Sequence, residues 1–168
     1  MKNLIGLFLI LAFSATVFGQ QSKAKPLAET FSATSLDGKA FDLAELKGKV
    51  VVLTFWSTRC PICHKEIPKL NRLVKTYKDK AVIFLGLTME NPNKVGAYLK
   101  KTSFKFDILP NSFGVVLKYA DKDGDGNVAM GFPAHFLINQ KGEIELKTSG
   151  FDKTETLGLR ISQLLRSK

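Results

Sequence analysis

A continuous apolar run, Val50-Val51-Val52-Leu53-Thr54-Phe55, leads through Trp56-Ser57-Thr58-Arg59 into Cys60-Pro61-Ile62-Cys63. A run rich in β-branched residues without polar alternation has to be covered on both faces, the condition of a central strand in a sheet flanked by helices. After the cysteines the period changes. Ile67, Leu70, Val74 and Tyr77 recur at helical spacing, with Lys65, Lys69, Arg72 and Lys75 between them. The chain is thus committed to a strand-to-helix junction, and that junction carries its only two cysteines. Residues three apart stand one helical turn apart, so two sulfurs at C-x-x-C spacing meet either as a disulfide or around a metal ion.

The remaining elements follow from the same signals. Phe31–Leu36 and Lys39–Leu43 flank the turn pair Asp37-Gly38, which predicts a small N-terminal hairpin. Pro61 suits the first helical turn, whereas Pro68 lies inside the helix and predicts a bend there. Ala81–Leu87 reads as a second buried strand. Asn91-Pro92 offers an N-cap and a first-turn proline for a helix over Asn93–Lys101. Phe104, Phe106 and Ile108 alternate with Lys105 and Asp107, giving a short half-buried strand before Pro110, and a brief helix is expected over Phe113–Tyr119. A polar loop, Asp121–Asn127, precedes Gly131-Phe132-Pro133 and the apolar strand Ala134–Ile138. The turn Asn139–Gly142 then returns the chain into a strand over Glu143–Lys147. Asp152-x-x-Glu155 has the form of a capping box, and Leu157, Ile161, Leu164 and Leu165 give the last helix an apolar stripe. Parallel strands need crossover helices and the closing hairpin is antiparallel, so this order predicts a mixed α/β sheet with helices on both faces, the thioredoxin-like layout.

The chain has 168 residues, 45% hydrophobic and 24% charged, a balance that excludes general disorder. Residues 1–19, with Lys2 and an apolar stretch from Leu4 to Phe18, read as a signal peptide. The stretch is short for a membrane span of about 20 residues, so cleavage is expected in preference to anchoring. Residues 20–28 read as a flexible tether and residues 29–168 as the folded domain. Export to a periplasmic or other extracytoplasmic space places the cysteines where disulfides persist. The net charge of +10 is spread over scattered lysines, not clustered as a nucleic-acid surface requires.

Cys60 sits at the predicted start of a helix, where unpaired N–H groups and the helix dipole favour a thiolate. It is the expected attacking sulfur, with Cys63, one turn inside, as the shielded resolving thiol. Glu66, three residues after Cys63, is placed to accept the resolving thiol's proton or to raise the cysteine pKa by charge repulsion, with an exposed helix carboxylate as the plainer alternative. Arg59 and His64 flank the pair and read first as surface residues. Pro133 precedes a strand, where a cis X-Pro bond would expose the Phe132 backbone to an extended substrate segment, although an ordinary trans proline is the simpler expectation from residues alone. Asp121, Asp123 and Asp125 match the opening of a calcium loop, yet its twelfth position is Phe132 and not a bidentate Glu, so an acidic surface loop is favoured.

Taken together, Phe55-Trp56, Cys60-x-x-Cys63-x-x-Glu66-x-Pro68 and Gly131-x-Pro133 leading into Phe136-Leu137-Ile138 resemble the TlpA/ResA-like branch of the thioredoxin family. These are exported thiol:disulfide oxidoreductases, and the resemblance spans roughly Ala28 to Leu165. It implies that Pro133 is cis and faces the cysteines, and that Cys60 is the nucleophile, Cys63 the resolving thiol and Glu66 an active-site acid. It also makes Trp56 a packing residue near the site, and the residues expected around the substrate are Trp56, Pro61, Ile62, Phe132 and Pro133. Departures are Arg59 where an aromatic often stands, Thr54 where thioredoxins proper carry a buried acid, and Ala134-His135 in place of hydroxyl residues after the proline.

The expected function is an exported thiol:disulfide oxidoreductase that reduces disulfides of exported or cytochrome-type proteins by a Cys60–Cys63 cycle. Protein thiols are its partners and a membrane protein its electron donor. It is expected to act as a monomer, with no cofactor beyond its own redox-active disulfide and no nucleic acid. The competing reading is a copper-binding or copper-delivery module in which a histidine such as His135 joins the two cysteines. A peroxidase on the same fold would not need C-x-x-C spacing.

Overall fold

The computed structural model describes residues 24–167, so the expected signal peptide and residues 20–23 of the expected tether lie outside the described residues. Strands β3 (Val50–Phe55), β4 (Val82–Leu87), β5 (Asp107–Leu109), β8 (Ala134–Ile138) and β9 (Ile144–Ser149) form a five-stranded sheet in the order β5-β4-β3-β8-β9. β3 pairs parallel to β4 and β4 to β5, whereas β8 and β9 run antiparallel, which is the predicted mixed sheet. Every residue of β3 is buried, as its lack of alternation demands.

The two faces of β3 feed two different cores. Val51, Leu53 and Phe55 pack with Phe31, Phe41 and Leu43 of the N-terminal region and with Val115, Val116 and Tyr119 of helix α3 (Phe113–Tyr119). Val50 and Val52 pack on the other face with Leu70 of helix α1 (Pro61–Thr76), with Tyr77 that caps its C-terminus, and with Leu157 and Ile161 of helix α4 (Thr154–Arg166). The Tyr77 hydroxyl ties α1 to α4 by donating to the Gly158 carbonyl at 2.9 Å. Helix α2 (Pro92–Leu99) starts at Asn91, whose side chain accepts from the Lys94 N–H at 3.0 Å, the cap read from Asn91-Pro92. The predicted hairpin is present as β1 (Ser32–Thr34) and β2 (Ala40–Asp42), with Gly38 at φ 88° in its loop.

Three expectations are corrected. Residues 26–28, read as tether, are docked: the Ala28 N–H donates to the Gly142 carbonyl at 2.9 Å and the Ile144 N–H to the Pro26 carbonyl at 2.8 Å, so the folded region starts earlier than residue 29. Helix α1 runs through Pro68 as one element, with Ile67 and Leu70 anchored in the core on either side. The strand expected from Phe104 begins only at Asp107, because Phe104 and Phe106 are taken up by an aromatic cluster beside Trp56. The loop Asp121–Asn127 is closed by a two-stranded ribbon, β6 (Asp121–Lys122) and β7 (Val128–Ala129), too short to leave a periodic signal.

Candidate redox site

β3 ends against the start of α1, and the turn between them sets the geometry of the cysteines. Cys60 is the N-cap of α1, with extended backbone, and Pro61 fills the first helical position, where a missing N–H costs nothing. Cys60 Sγ accepts from the Cys63 N–H at 3.1 Å, so one of the helix's orphan donors already points at this sulfur. Cys60 and Cys63 form a disulfide, with Cα atoms 5.2 Å apart. The two sulfurs are unequal: Cys60 is half-buried, whereas Cys63 is 2% exposed. On reduction, the sulfur that gains helix-terminal stabilisation is also the one that a partner reaches first.

The loop before the pair is held from outside α1. Glu90, at the end of the turn after β4, accepts from the Thr58 N–H at 2.8 Å and the Thr58 hydroxyl at 2.7 Å, and pairs with Lys94 at 2.6 Å. Burial alone would raise the Glu90 carboxyl, but the Lys94 and Thr58 hydrogen bonds outweigh it and hold the group below the usual carboxylate range. His64 closes the ring from α1, its Nε2 lying 2.9 Å from the Thr58 carbonyl and its imidazole 5.1 Å from the Tyr98 ring. Arg59 remains exposed.

Trp56 does not stand where a substrate would meet it. It is 1% exposed, packed against Phe104 at 4.7 Å and Tyr98 at 5.5 Å between ring centroids, so its place is beneath the pair and not on the surface. Gly86 makes room for it: a Cβ there would lie 2.6 Å from Ile108 Cδ1, 2.9 Å from Phe106 Cε2 and 3.3 Å from Trp56 Nε1. Pro61 and Ile62 are exposed, with Ile62 at 39%, and Phe132 is half-buried against the cluster that contains Trp56, Cys60 and Cys63. The Phe132–Pro133 bond is cis, as the family resemblance implied, and Pro133 itself is buried.

Glu66 is fully buried. Its Oε1 accepts from the Asp152 N–H at 2.9 Å and lies 3.7 Å from Lys69 Nζ, while Oε2 has no partner. This contact corrects the expected capping box. Asp152 adopts φ 62° so that its N–H reaches Glu66, its carboxylate pairs with Lys69, and α4 starts after Lys153 with no side-chain cap.

Other anticipated residues are not brought to the pair. Asp121 pairs with Lys147. Asp123 spends its carboxylate on its own turn, accepting from the Asp125 N–H at 3.0 Å and the Asn127 N–H at 2.8 Å, and Asp125 is exposed. Among the described residues no three His, Cys, Asp or Glu side chains gather to hold a metal. His135, the suggested third ligand, is instead buried in β8 with Nδ1 3.1 Å from Thr54 Oγ1. Sequence reasoning did not anticipate Glu90, Tyr98 or Thr148. Glu90 had a faint signal, its place just after a buried parallel strand, where the loops of such sheets gather around a site.

Residues 25–147 match the AhpC/TSA family. The thiol-disulfide oxidoreductase ResA of Bacillus thuringiensis subsp. konkukian is 31% identical over 131 residues, covering 77% of this chain and 72% of its own. The chain belongs to the AhpC/TSA family, as a TlpA/ResA-like thiol:disulfide oxidoreductase. A second ResA, from Halalkalibacterium halodurans, is 28% identical over 167 residues, covering 96% of this chain and 89% of the relative. Among solved structures, a thioredoxin-family thiol:disulfide interchange protein from Chlorobium tepidum superposes with a TM-score of 0.73 at 25% identity, covering 85% of this chain and 98% of its own. The ResA-like oxidoreductase fold therefore carries the Cys60–Cys63 disulfide on the helix terminus described above.

Proposed function

We propose that this ResA-like protein acts outside the cytoplasm as a disulfide reductase, using Cys60 as nucleophile and Cys63 as resolving thiol, on disulfides of exported or cytochrome-type proteins. The observation that carries the reading is the asymmetry of the pair: Cys60 Sγ at the α1 N-cap, receiving the Cys63 N–H at 3.1 Å, against a Cys63 that is 2% exposed. Cys60 thiolate attacks a substrate disulfide and releases one substrate sulfur as a thiolate. Cys63 then loses its proton and bonds to Cys60, the Cys60–substrate bond breaks, and the substrate leaves doubly reduced. Glu66, the buried carboxyl one turn along α1 from Cys63, takes the Cys63 proton. Exposed Pro61 and Ile62 and half-buried Phe132 form the apolar surface that receives the substrate backbone next to the reacting sulfur.

Among the described residues no helix is long and apolar enough to cross a membrane. Electrons reach the pair from a separate donor protein, which we place in the membrane. The protein works as a monomer. The test is reduction of an exported disulfide protein by the dithiol form: Cys63→Ser accumulates a mixed disulfide through Cys60, and Cys60→Ser forms none. Trapping through Cys63 and not Cys60 would reverse the assignment, and turnover by both single variants would remove it. Copper delivery is not favoured, because among the described residues no third ligand gathers with the pair.

A further inference from the structure

Four buried side-chain polar atoms among the described residues lack a hydrogen-bond partner: Trp56 Nε1, Glu66 Oε2, His135 Nε2 and Thr148 Oγ1. They are not scattered. Gly86 is paired with Thr54, Thr54 with His135, and His135 with Thr148, in register across β4, β3, β8 and β9. Directly opposed residues project to the same face of a sheet, so Thr54, His135 and Thr148 form one polar row. Trp56 stands two residues beyond Thr54 on that face, with its indole nitrogen beside Gly86.

The row lies beneath the helix that carries the cysteines. Leu70 of α1 packs in one cluster with Val52 and Leu137. One turn back along α1, a step of about 5.4 Å, reaches Glu66. The matching step along the strands, about two residues, moves from Val52 to Thr54 and from Leu137 to His135. Glu66 therefore stands over the row, one turn short of Cys63. Its Oε2 can only accept when ionised, whereas the Trp56 indole donates, and the His135 imidazole and Thr148 hydroxyl can donate. Thr54 Oγ1 and His135 Nδ1 lie 3.1 Å apart, and taking the hydroxyl as donor places the remaining imidazole proton on Nε2.

We propose that His135 is a positioning residue for the proton step at the cysteine pair: its Nε2–H, through one internal water shared with Thr148, holds the Glu66 carboxylate aimed to receive the Cys63 proton. This rests on the Cys60–Cys63 cycle proposed above. A water there has the polar partners, about two to four, that buried waters use. Burial pushes the His135 pKa down to about 4, so the imidazole serves as a neutral donor in the working range. The flanking strands set uncharged Thr54 and Thr148 beside it, and the helices over this face of the sheet bring apolar Leu157 and Ile161 of α4 and, from α1, Glu66 with its ion-pair partner Lys69. Lys69 in turn is tied to Asp152. In the step itself, the proton passes from Cys63 Sγ to Glu66 Oε2. The Cys60–Cys63 bond forms as the Cys60–substrate bond breaks, and the substrate sulfur leaves with the electron pair.

The test follows oxidation of the dithiol protein by oxidised glutathione in a stopped-flow instrument, using Trp56 fluorescence to separate attack by Cys60 from resolution by Cys63 across pH. His135→Leu should move the acid limb of the resolution phase up by about one pH unit, the size expected for a lost donor to a buried carboxylate. It should leave the attack phase within about twofold, since only the second thiol is served. His135→Gln, which retains a donor, should recover part of the shift, and His135→Leu should add nothing in a Glu66→Gln background. An unmoved limb, or an equal shift in both backgrounds, would overturn the inference while leaving the cycle intact. A wild-type pair that never reacts with glutathione would overturn the cycle as well. Imidazole nitrogen NMR of the wild-type protein is independent of any variant's folding: a neutral Nε2–H tautomer at pH 7 is expected, and an Nδ1–H tautomer, or an imidazolium at pH 6, would overturn the assignment.

Discussion

The burial of His135 makes a prediction about stability that needs no substrate. Burial holds its pKa at about 4 in the folded protein, whereas the unfolded chain has the ordinary value of 6.5. Above pH 6.5 the imidazole is neutral in both states and contributes no pH dependence. As pH falls below 6.5 the unfolded chain takes up a proton that the folded protein refuses, so stability is lost between about pH 6.5 and pH 4 and levels off below. At about 1.4 kcal/mol per unit of pKa difference the full loss is about 3 kcal/mol, of which about 2 kcal/mol falls between pH 7 and pH 5. The assay is urea unfolding of the disulfide form at half-unit steps across that range, comparing wild type with His135→Thr, which keeps a hydroxyl opposite Thr54. Wild type should lose stability across the range and His135→Thr should be nearly flat in it. Equal slopes in wild type and His135→Thr would refute the claim that this imidazole is held neutral by burial.

Two further outcomes follow from the packing around the pair. Gly86→Ala places a Cβ against Ile108, Phe106 and the Trp56 indole, and should lower stability by about 1–3 kcal/mol in chemical denaturation, the usual cost of overpacking, with a changed Trp56 emission. Unchanged stability and emission would mean that Trp56 does not pack on that strand as described. Glu90→Gln removes the charge that accepts both Thr58 groups and Lys94, and should cost about 1–3 kcal/mol while speeding hydrogen exchange at the Thr58 amide. Exchange at wild-type rate would show that the clamp does not hold the loop.

Much of this architecture was legible because it rests on periodicity. Val50–Phe55 and Ala134–Ile138 are buried on both faces and so have no polar alternation to blur them, and Asn91-Pro92 announces its helix through cap chemistry. The cysteine pair was legible for the same reason, since a spacing of three at a strand-to-helix junction is a local feature. What escaped is non-local. Asp152 reads as a helix cap, and only the approach of Glu66 from another helix gives its N–H a different partner. Trp56 reads as a site residue, yet the aromatic cluster of Tyr98, Phe104 and Phe106 closes over it from the segments after β4. His135 and Thr148 sit in strands whose apolar pattern hides them, and their significance comes from register across β3, β8 and β9.

The most direct test of the account is a redox titration of the Cys60/Cys63 pair against glutathione, read by thiol trapping. The account predicts one reversible two-electron transition, absent in either single Cys→Ser variant, with a potential below about −200 mV, in the range of proteins that donate electrons. A pair that never cycles would contradict the oxidoreductase assignment itself, and a potential near about −120 mV, that of a strong oxidant, would contradict its direction.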